Sequence, residues 1–372
     1  MRVLVPAWSF QPVGGVEVGV LQASRALAER GHEIRVFFEV DGPLRAQWEQ
    51  FAEVHQVASM EPLKPFSMTR SSMQASRAVW NRPADVLWLN RPEYIAWAQV
   101  VSRAAGARLL VHFHHKLRWH LPAVLKSGVP HYLAVSEYLK SVYVEDGVPA
   151  ERLEVLHNAV AADDYPPGDV AAMRAAREAL GLPQDVRIAL YYGRLDPIKG
   201  VDVLFDAWRR LAPDPSHARL VVMGSNPDPQ RDLAIRANQP PDVIWLDPRA
   251  DVVPVLHAAD LVVAPSVWEE PFGRVLIEAM STARPVIGSR SGGMPEILCG
   301  PMSDLLVDKS DPAGLAERIS QYLDWREQRP GLGEQCAAWV GERFSFDRMV
   351  DGLEGALVTT EAASRPRVSR RG

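Results

Sequence analysis

The sequence predicts an α/β protein of two doubly wound parallel-sheet domains in tandem, and three observations carry that expectation. Short β-branched or aliphatic runs recur, each followed by helical apolar spacing, as for strands buried on both faces by crossover helices. The alternation lapses in an Asp/Pro/Gly-rich stretch at 161–185 and then restarts. The length of 372 residues suits two domains at roughly 150 residues each.

In the first half, strands are expected at 2–6, 33–38, 85–89, 108–113, 131–135 and 153–156. The helix after the first strand spans about 15–30, with Gly31 as its C-terminal glycine. Gly168 lies in the Asp/Pro/Gly-rich stretch and reads as a linker glycine, beside one helical segment near 171–180. The second half restarts with strands at 187–192, 219–223, 243–246, 261–264, 285–288 and 305–307. Helices are expected at 201–211, 252–257 and 273–282, and further helices at 312–325, 334–344 and 345–359 close the pattern. The expected domains are residues 1–165, to which a helix at 346–360 is added below, and residues 186–345, joined by a linker at 166–185. A basic tail at 361–372 lacks apolar periodicity.

Hydrophobic residues make up 47% and charged residues 23%, a balance that argues against disorder and against a collagen-like or fibrous chain. The formal charge of −5 leaves no broad basic footprint for nucleic acid, although local basic sites remain open. Cys299 and Cys336 are too few for a disulfide framework or a four-thiolate zinc site, and fit a reducing compartment. The opening Met1-Arg-Val-Leu-Val-Pro6 is too short for a signal h-region, and no stretch approaches the roughly eighteen apolar residues of a membrane span. The expectation is a cytoplasmic protein without integral membrane association.

In open parallel sheets, ligands bind beyond the carboxyl ends of the strands. Four strand-to-helix loops there carry glycine: Gly14-Gly-Val-Glu17, Gly193-Arg-Leu-Asp-Pro-Ile-Lys-Gly200, Glu270-Pro-Phe-Gly-Arg274 and Ser291-Gly-Gly-Met-Pro-Glu296. Glycine lets the backbone approach a phosphate closely, and a helix N-terminus supplies free N–H groups. No Gly-x-Gly-x-x-Gly follows a strand and no Walker loop occurs, so the dehydrogenase and P-loop fingerprints are absent. Arg194 and Lys199 flank a Pro-containing turn, offering either two fixed cations for a pyrophosphate or a solvated surface. Glu270 precedes a mostly apolar helix and Glu278 lies inside it. Carboxylates in such a segment need partners, and vicinal sugar hydroxyls would suit them; an exposed Glu278 capped by a neighbouring Arg is the alternative.

The run Val111-His-Phe-His-His-Lys-Leu-Arg-Trp-His120 holds four histidines. Zinc or copper ligation, a structural role and a substrate-facing role are all open. The absence of a nearby acidic or cysteine ligand weighs against metal, and the carboxyl end of a strand favours a ligand site to which His115, Lys116 and Arg118 could contribute. Of the 11 tryptophans, Trp268 and Trp119 are placed to stack on a sugar ring, while most of the others belong to the core.

The ordered set Gly14-Gly-Val-Glu17, His114, Asn158, Gly193-Arg-Leu-x-x-x-Lys-Gly200, Pro265-Ser266, Glu270-x7-Glu278-Ala-Met280 and Gly292-Gly-x-Pro-Glu296 resembles glycosyltransferase family 4 over about residues 1–345. The resemblance implies a GT-B fold, with two Rossmann-like domains facing a cleft and a last helix, 346–360, crossing back to the N-terminal domain. It implies a retaining, nucleotide-sugar-dependent enzyme whose donor lies on the C-terminal domain. Glu278 would hold ribose hydroxyls, and Arg194 and Lys199 would neutralise the diphosphate leaving group. Glu270 would bind donor-sugar hydroxyls with support from the backbone at Phe272 and Gly273. Gly14 and Gly15 would close over the diphosphate, His114 matches an active-site histidine, and Arg249 is a candidate for packing against the base. Glu270, His114, Arg194 and Lys199 form the expected catalytic set. With those cations in place a metal or other cofactor is unnecessary. Retention could use a carboxylate nucleophile, as in retaining hydrolases, or front-face attack in which the leaving phosphate takes the acceptor proton; the resemblance implies the second, with no nucleophilic residue. Three segments depart from the family pattern: Asn158-Ala-Val-Ala161, Met223-Gly-Ser-Asn226 and Ser303-Asp304.

The expected reaction moves a hexose or N-acetylhexosamine from a nucleoside diphosphate, UDP favoured, to a hydroxyl acceptor. Acceptor residues are expected around 42–77 and 117–125, where no motif stands out. The lack of an evident basic amphipathic helix favours a soluble acceptor such as a small metabolite, aminocyclitol or oligosaccharide. A sugar-nucleotide 2-epimerase or a phosphorylase on the same scaffold is the alternative enzyme, and a sugar-nucleotide sensor the alternative binding protein. Expected partners are thus the donor and acceptor, with no nucleic acid, and a homodimer as the candidate assembly.

Overall fold

A computed structural model describes residues 1–11, 14–117, 126 and 128–363. The chain divides into two compact units: residues 1–158 with 347–372, and residues 159–346. Each is built on a parallel sheet.

The first unit holds β1 (Arg2–Ser9), β2 (Glu33–Val40), β3 (Ala52–Gln56), β4 (Val86–Leu89), β5 (Arg108–Phe113), β6 (His131–Ala134) and β7 (Leu153–Val155). Their order is β3-β2-β1-β4-β5-β6-β7, and every pairing is parallel. Runs such as Val3-Leu4-Val5 and Val86-Leu87-Trp88-Leu89 are fully buried because crossover helices cover both faces. Only β3 is absent from the sequence reading. Its Ala-Glu-Val-His-Gln lies at the sheet edge, half-exposed, where no apolar run is needed.

The helix Phe346–Ala362 contributes its residues from 347 onward to the first unit, burying Val350, Leu353 and Leu357. Its Glu354 accepts from His32 Nε2 at 2.8 Å and from Arg30 at 2.9 Å. The helix runs to Ala362, so the expected tail at 361–372 is helical at its start; its residues 364–372 lie outside the described residues. Among the described residues, no helix is long and apolar enough to cross a membrane.

The second unit holds β8 (Arg187–Tyr192), β9 (Ala218–Met223), β10 (Ile244–Leu246), β11 (Leu261–Ala264), β12 (Val286–Ser289) and β13 (Leu306–Val307). Their order is β10-β9-β8-β11-β12-β13, again parallel throughout. The expected linker at 166–185 is part of this unit, and so are residues 159–165, which the sequence assigns to the first domain. The helix Val170–Leu180 is capped by Asp169 and packs through buried Met173, Ala176 and Arg177. Arg177 donates to Asp260 at 2.7 Å and to the carbonyls of Ala258, Gln184 and Val186. Gly168 is likewise no plain linker residue, since a Cβ there would come 2.5 Å from the His257 ring. A buried guanidinium satisfied by four oxygens fixes the segment in place despite its turn-rich composition.

Both sheets reverse strand order at one internal position, between β1 and β4 in the first and between β8 and β11 in the second. Such a switch point splays apart the loops leaving the two neighbouring strands and opens a crevice at their carboxyl ends.

Candidate functional site

In the second unit, the loops after β8 and β11 flank the switch point. β8 runs into Gly193 and Arg194, then a short 3-10 turn, Pro197–Lys199, and Gly200, which opens the helix Val201–Leu211. Gly200 sits at φ +74°, and a Cβ there would strike the Pro265 carbonyl oxygen at 1.9 Å. Only glycine lets the two loops lie this close. The contact is reinforced by the Val267 N–H, which donates to the Ile198 carbonyl at 3.0 Å.

This approach brings Lys199 to Glu270. Lys199 Nζ donates to Glu270 Oε1 at 2.6 Å, and the Ser266 hydroxyl donates to the same oxygen. Glu270 is buried, while the Lys199 side chain is 29% exposed, so the pair faces solvent through its cation. The indole of Trp268 lies beneath, with Lys199 Nζ 5.6 Å from a ring centroid. Arg194 is more open, at 54% exposure, with a long contact of 3.6 Å to Asp196. Tyr191 donates to the Arg194 carbonyl at 2.8 Å. Its phenol is pushed above its ordinary pKa by burial and by the nearby Glu270 and Asp196 carboxylates. It therefore stays a neutral donor in this acidic setting.

Glu278 lies deeper, in the helix Arg274–Ser281. Its carboxylate is held by Arg274 Nε at 3.0 Å and by the Tyr192 hydroxyl at 2.9 Å. Burial and then Glu278 raise the Tyr192 phenol, and the same two causes push Tyr165 up to about 12. Arg274 thus caps Glu278 as the alternative reading allowed, yet the carboxylate is buried, not exposed. Four lone-pair positions on a carboxylate leave room for further donors.

No side chain caps the helix that Gly273 opens, and none caps the one that Gly200 opens. Their first-turn N–H groups carry partial positive charge and are suited to an anion. Phe272 is buried edge-on against Phe344 at 5.7 Å and anchors this turn. Gly292, at φ +55°, passes so near Glu270 that a Cβ would lie 2.0 Å from its carbonyl oxygen. The Gly293 N–H donates to that carbonyl at 2.8 Å, and the Gly292 N–H donates to Glu269 at 2.7 Å. Glu269 also pairs with Lys309. Arg249 is exposed on the loop after β10.

In the first unit, Gly14 is the N-cap of the helix Gly15–Glu29, with an ordinary extended backbone at φ −168° and no side-chain cap. Glu17, in the first turn, pairs with Arg91 at 2.7 Å, and Arg91 lies 4.7 Å over the Trp8 ring. This pair also bridges a switch point, since Glu17 follows β1 and Arg91 follows β4. His114, beyond β5, has Nε2 3.0 Å from Asn90 Oδ1, and its ring lies 4.0 Å from that of His112. His112 is buried, and desolvation pushes its pKa down to about 3. His115 pairs with Glu93 at 2.6 Å. Among the described residues, no group of three His, Cys, Asp or Glu side chains is arranged to hold a metal ion. Arg118, Trp119 and His120, with most of the segment at 117–125, lie outside the described residues.

The sequence reading missed Tyr165, Tyr191, Tyr192 and Arg274. Arg274 had a usable signal, being four residues before Glu278 on one helix face. The tyrosines had none, because they read as strand or linker residues.

Residues 13–164 match the family model Glycosyltransferase Family 4, and residues 186–324 match Glycosyl transferases group 1. The D-inositol 3-phosphate glycosyltransferase of Mycolicibacterium smegmatis is 30% identical over an alignment of 384 positions, covering 91% of this chain and 85% of that protein. The enzyme of the same name from Corynebacterium efficiens is 35% identical over 182 residues, which span 46% of this chain and 43% of the relative. Among solved structures, a glycosyltransferase from Rickettsia africae superposes with a TM-score of 0.85 at 19% identity, covering 97% of this chain and 99% of that one. HepE of Anabaena, solved with UDP and glucose, superposes at 0.82 and 20% identity, covering 96% and 100%.

Proposed function

The chain belongs to glycosyltransferase family 4, and from that premise we propose that it transfers a hexose or N-acetylhexosamine from a UDP-sugar to an acceptor hydroxyl with retention of anomeric configuration. Its GT-B fold and its standing as a glycosyltransferase are the fixed points. The observation that carries the finer reading is the Lys199–Glu270 pair, held across the switch point of the second unit beside two uncapped helix N-termini.

The proposed roles follow from charge and exposure. When the donor bond breaks, negative charge grows on the β-phosphate. Lys199 and Arg194, with the first-turn N–H groups after Gly200 and Gly273, stabilise that charge without reorganisation and without a metal. Glu270, steadied by Lys199 and Ser266, accepts hydrogen bonds from sugar hydroxyls, with the Phe272–Gly273 backbone beneath it. Glu278, fixed by Arg274 and Tyr192, takes the ribose hydroxyls. Arg249 packs against the base. By the resemblance, Gly14 and Gly15 are assigned to the diphosphate and His114, oriented by Asn90, to the reacting sugar. Leaving-group phosphate accepts the acceptor proton, so no side chain acts as nucleophile.

UDP is favoured by the HepE structure, solved with UDP and glucose. For the acceptor, the relatives named D-inositol 3-phosphate glycosyltransferase favour a cyclitol or its phosphate among the small polyols. A thermal-shift panel of UDP, GDP, ADP and dTDP sugars tests the donor: stabilisation by a UDP-sugar alone is expected, and stabilisation by none overturns the site. NMR of the product anomer tests retention, and turnover without acceptor would favour the epimerase instead.

A further inference from the structure

The helix Pro65–Ala78, between β3 and β4, turns an unusual face to solvent. It packs inward through Ser71, Ser72 and Ala75, small residues that demand no large core contact. Outward, Leu63, Phe66, Met73 and Trp80 are 92%, 93%, 52% and 72% exposed. Arg70 and Arg77 are exposed between them. Within the helix, the spacing of 66, 70, 73 and 77 alternates four and three residues, so these four share one stripe, and exposed Leu63 and Trp80 flank its two ends.

Large apolar side chains this exposed are uncommon on a soluble surface, and here four are gathered on and beside one helix. The helix carries no acidic residue. Among the described residues, neither arginine has a carboxylate partner, whereas nearby Lys64 is paired with Glu61 at 2.9 Å. A second copy of the same face fits poorly, because an isologous contact would set unpaired arginines against each other inside an apolar seam. A bilayer surface suits both halves of the pattern. Acyl chains take Phe66, Leu63 and Met73, Trp80 belongs at headgroup level, and arginines extend their charges to lipid phosphates.

We propose that this stripe docks the enzyme peripherally on anionic membrane surfaces. The occupant is the lipid surface itself, and the proposal is independent of which hydroxyl is glycosylated. With a net charge of −5, the chain as a whole is not drawn to an anionic surface, so local charge and insertion must act together. The sequence reading passed over this helix because its buried face is Ser71, Ser72 and Ala75, so no apolar core-facing stripe marks it.

The test is vesicle co-sedimentation of the full chain, with phosphatidylcholine vesicles and vesicles of equal parts phosphatidylcholine and phosphatidylglycerol. The tail at 361–372 is left unchanged throughout. Wild type is expected to pellet with the anionic vesicles only, and to be released by added salt. The double variants Leu63→Ser with Phe66→Ser, and Arg70→Glu with Arg77→Glu, should each weaken binding about tenfold or more. All four positions are exposed, and thermal unfolding identifies any variant that fails to fold, leaving the other pair to decide. No wild-type binding, or binding unchanged in the folded variants, overturns the proposal. So does a wild-type dimer that the Phe66 variant dissociates while vesicles capture neither form.

Discussion

Lys199 and Glu270 meet at 2.6 Å although they follow β8 and β11, the two strands between which the second sheet reverses its order. Gly200 makes the meeting possible by letting its loop lie against the Pro265 carbonyl. A cation is thereby fixed by a buried carboxylate before any ligand arrives.

Lys199→Ala should therefore lower kcat about a hundredfold or more, the usual cost of losing a preorganised charge at a leaving group. It should also weaken UDP binding. Glu270→Gln keeps the hydrogen-bonding shape and should depress kcat with a smaller effect on nucleotide affinity. Steady-state kinetics beside calorimetric titration with UDP separate the two.

Glu278→Gln should weaken UDP about tenfold or more by removing a charged acceptor. It also leaves the Arg274 guanidinium without its carboxylate, so the unfolding temperature should fall. Tyr192→Phe removes one donor to Glu278 and keeps the charge, and should leave UDP affinity near wild type. Equal losses of affinity in both variants would contradict the assigned role of Glu278.

Two loop glycines should respond in opposite ways. Gly292→Ala places a methyl against the Glu270 backbone at φ +55°, and should cost about 2 kcal/mol or more of stability. Gly14→Ala sits on extended backbone and meets only the flexible Glu17 carboxylate at 3.1 Å, so stability should hold within about 0.5 kcal/mol. Its proposed role toward the diphosphate then shows as a loss of kcat/KM in a fully folded protein.

Acid should destabilise the first unit through His112. Burial pushes its pKa from 6.5 down to about 3, so the unfolded chain takes up a proton that the folded chain refuses. The stabilisation is complete above pH 6.5 and is lost as pH falls toward 3, reaching about 2 kcal/mol of loss at pH 5. Denaturant unfolding at pH 7 and pH 5 measures the difference. His112→Asn should flatten that slope, whereas an unchanged slope would place the effect on other groups.

Cutting the hydrogen bonds of Arg177 tests whether 170–180 is structural. Arg177→Met should destabilise the second unit by about 3 kcal/mol, since Asp260 would keep Arg326 but lose its closest cation. A change within experimental error would return the segment to the status of a linker.

The strands and the loop glycines were legible in the sequence because buried parallel strands need unbroken apolar runs, and because Gly14, Gly200 and Gly273 each open a helix after a strand. Lys199 and Glu270 were legible as separate signals, but their contact was not, since 71 residues separate them. Composition misled at 166–185, where one Arg outweighs many turn formers. The half-exposed β3 left no apolar trace, and Tyr165 gained its place beside Glu278 through tertiary packing alone.

The position of the helix Phe346–Ala362 also bears on how the protein is made. The second unit is continuous in sequence, whereas the first is split, its last helix synthesised only after the whole of the second unit. Until Val350, Leu353 and Leu357 arrive, the first unit presents the apolar surface they later cover, and His32 and Arg30 lack the carboxylate of Glu354. The first unit, begun before the second, is thus completed after it, and in the interval its uncovered apolar surface is open to aggregation.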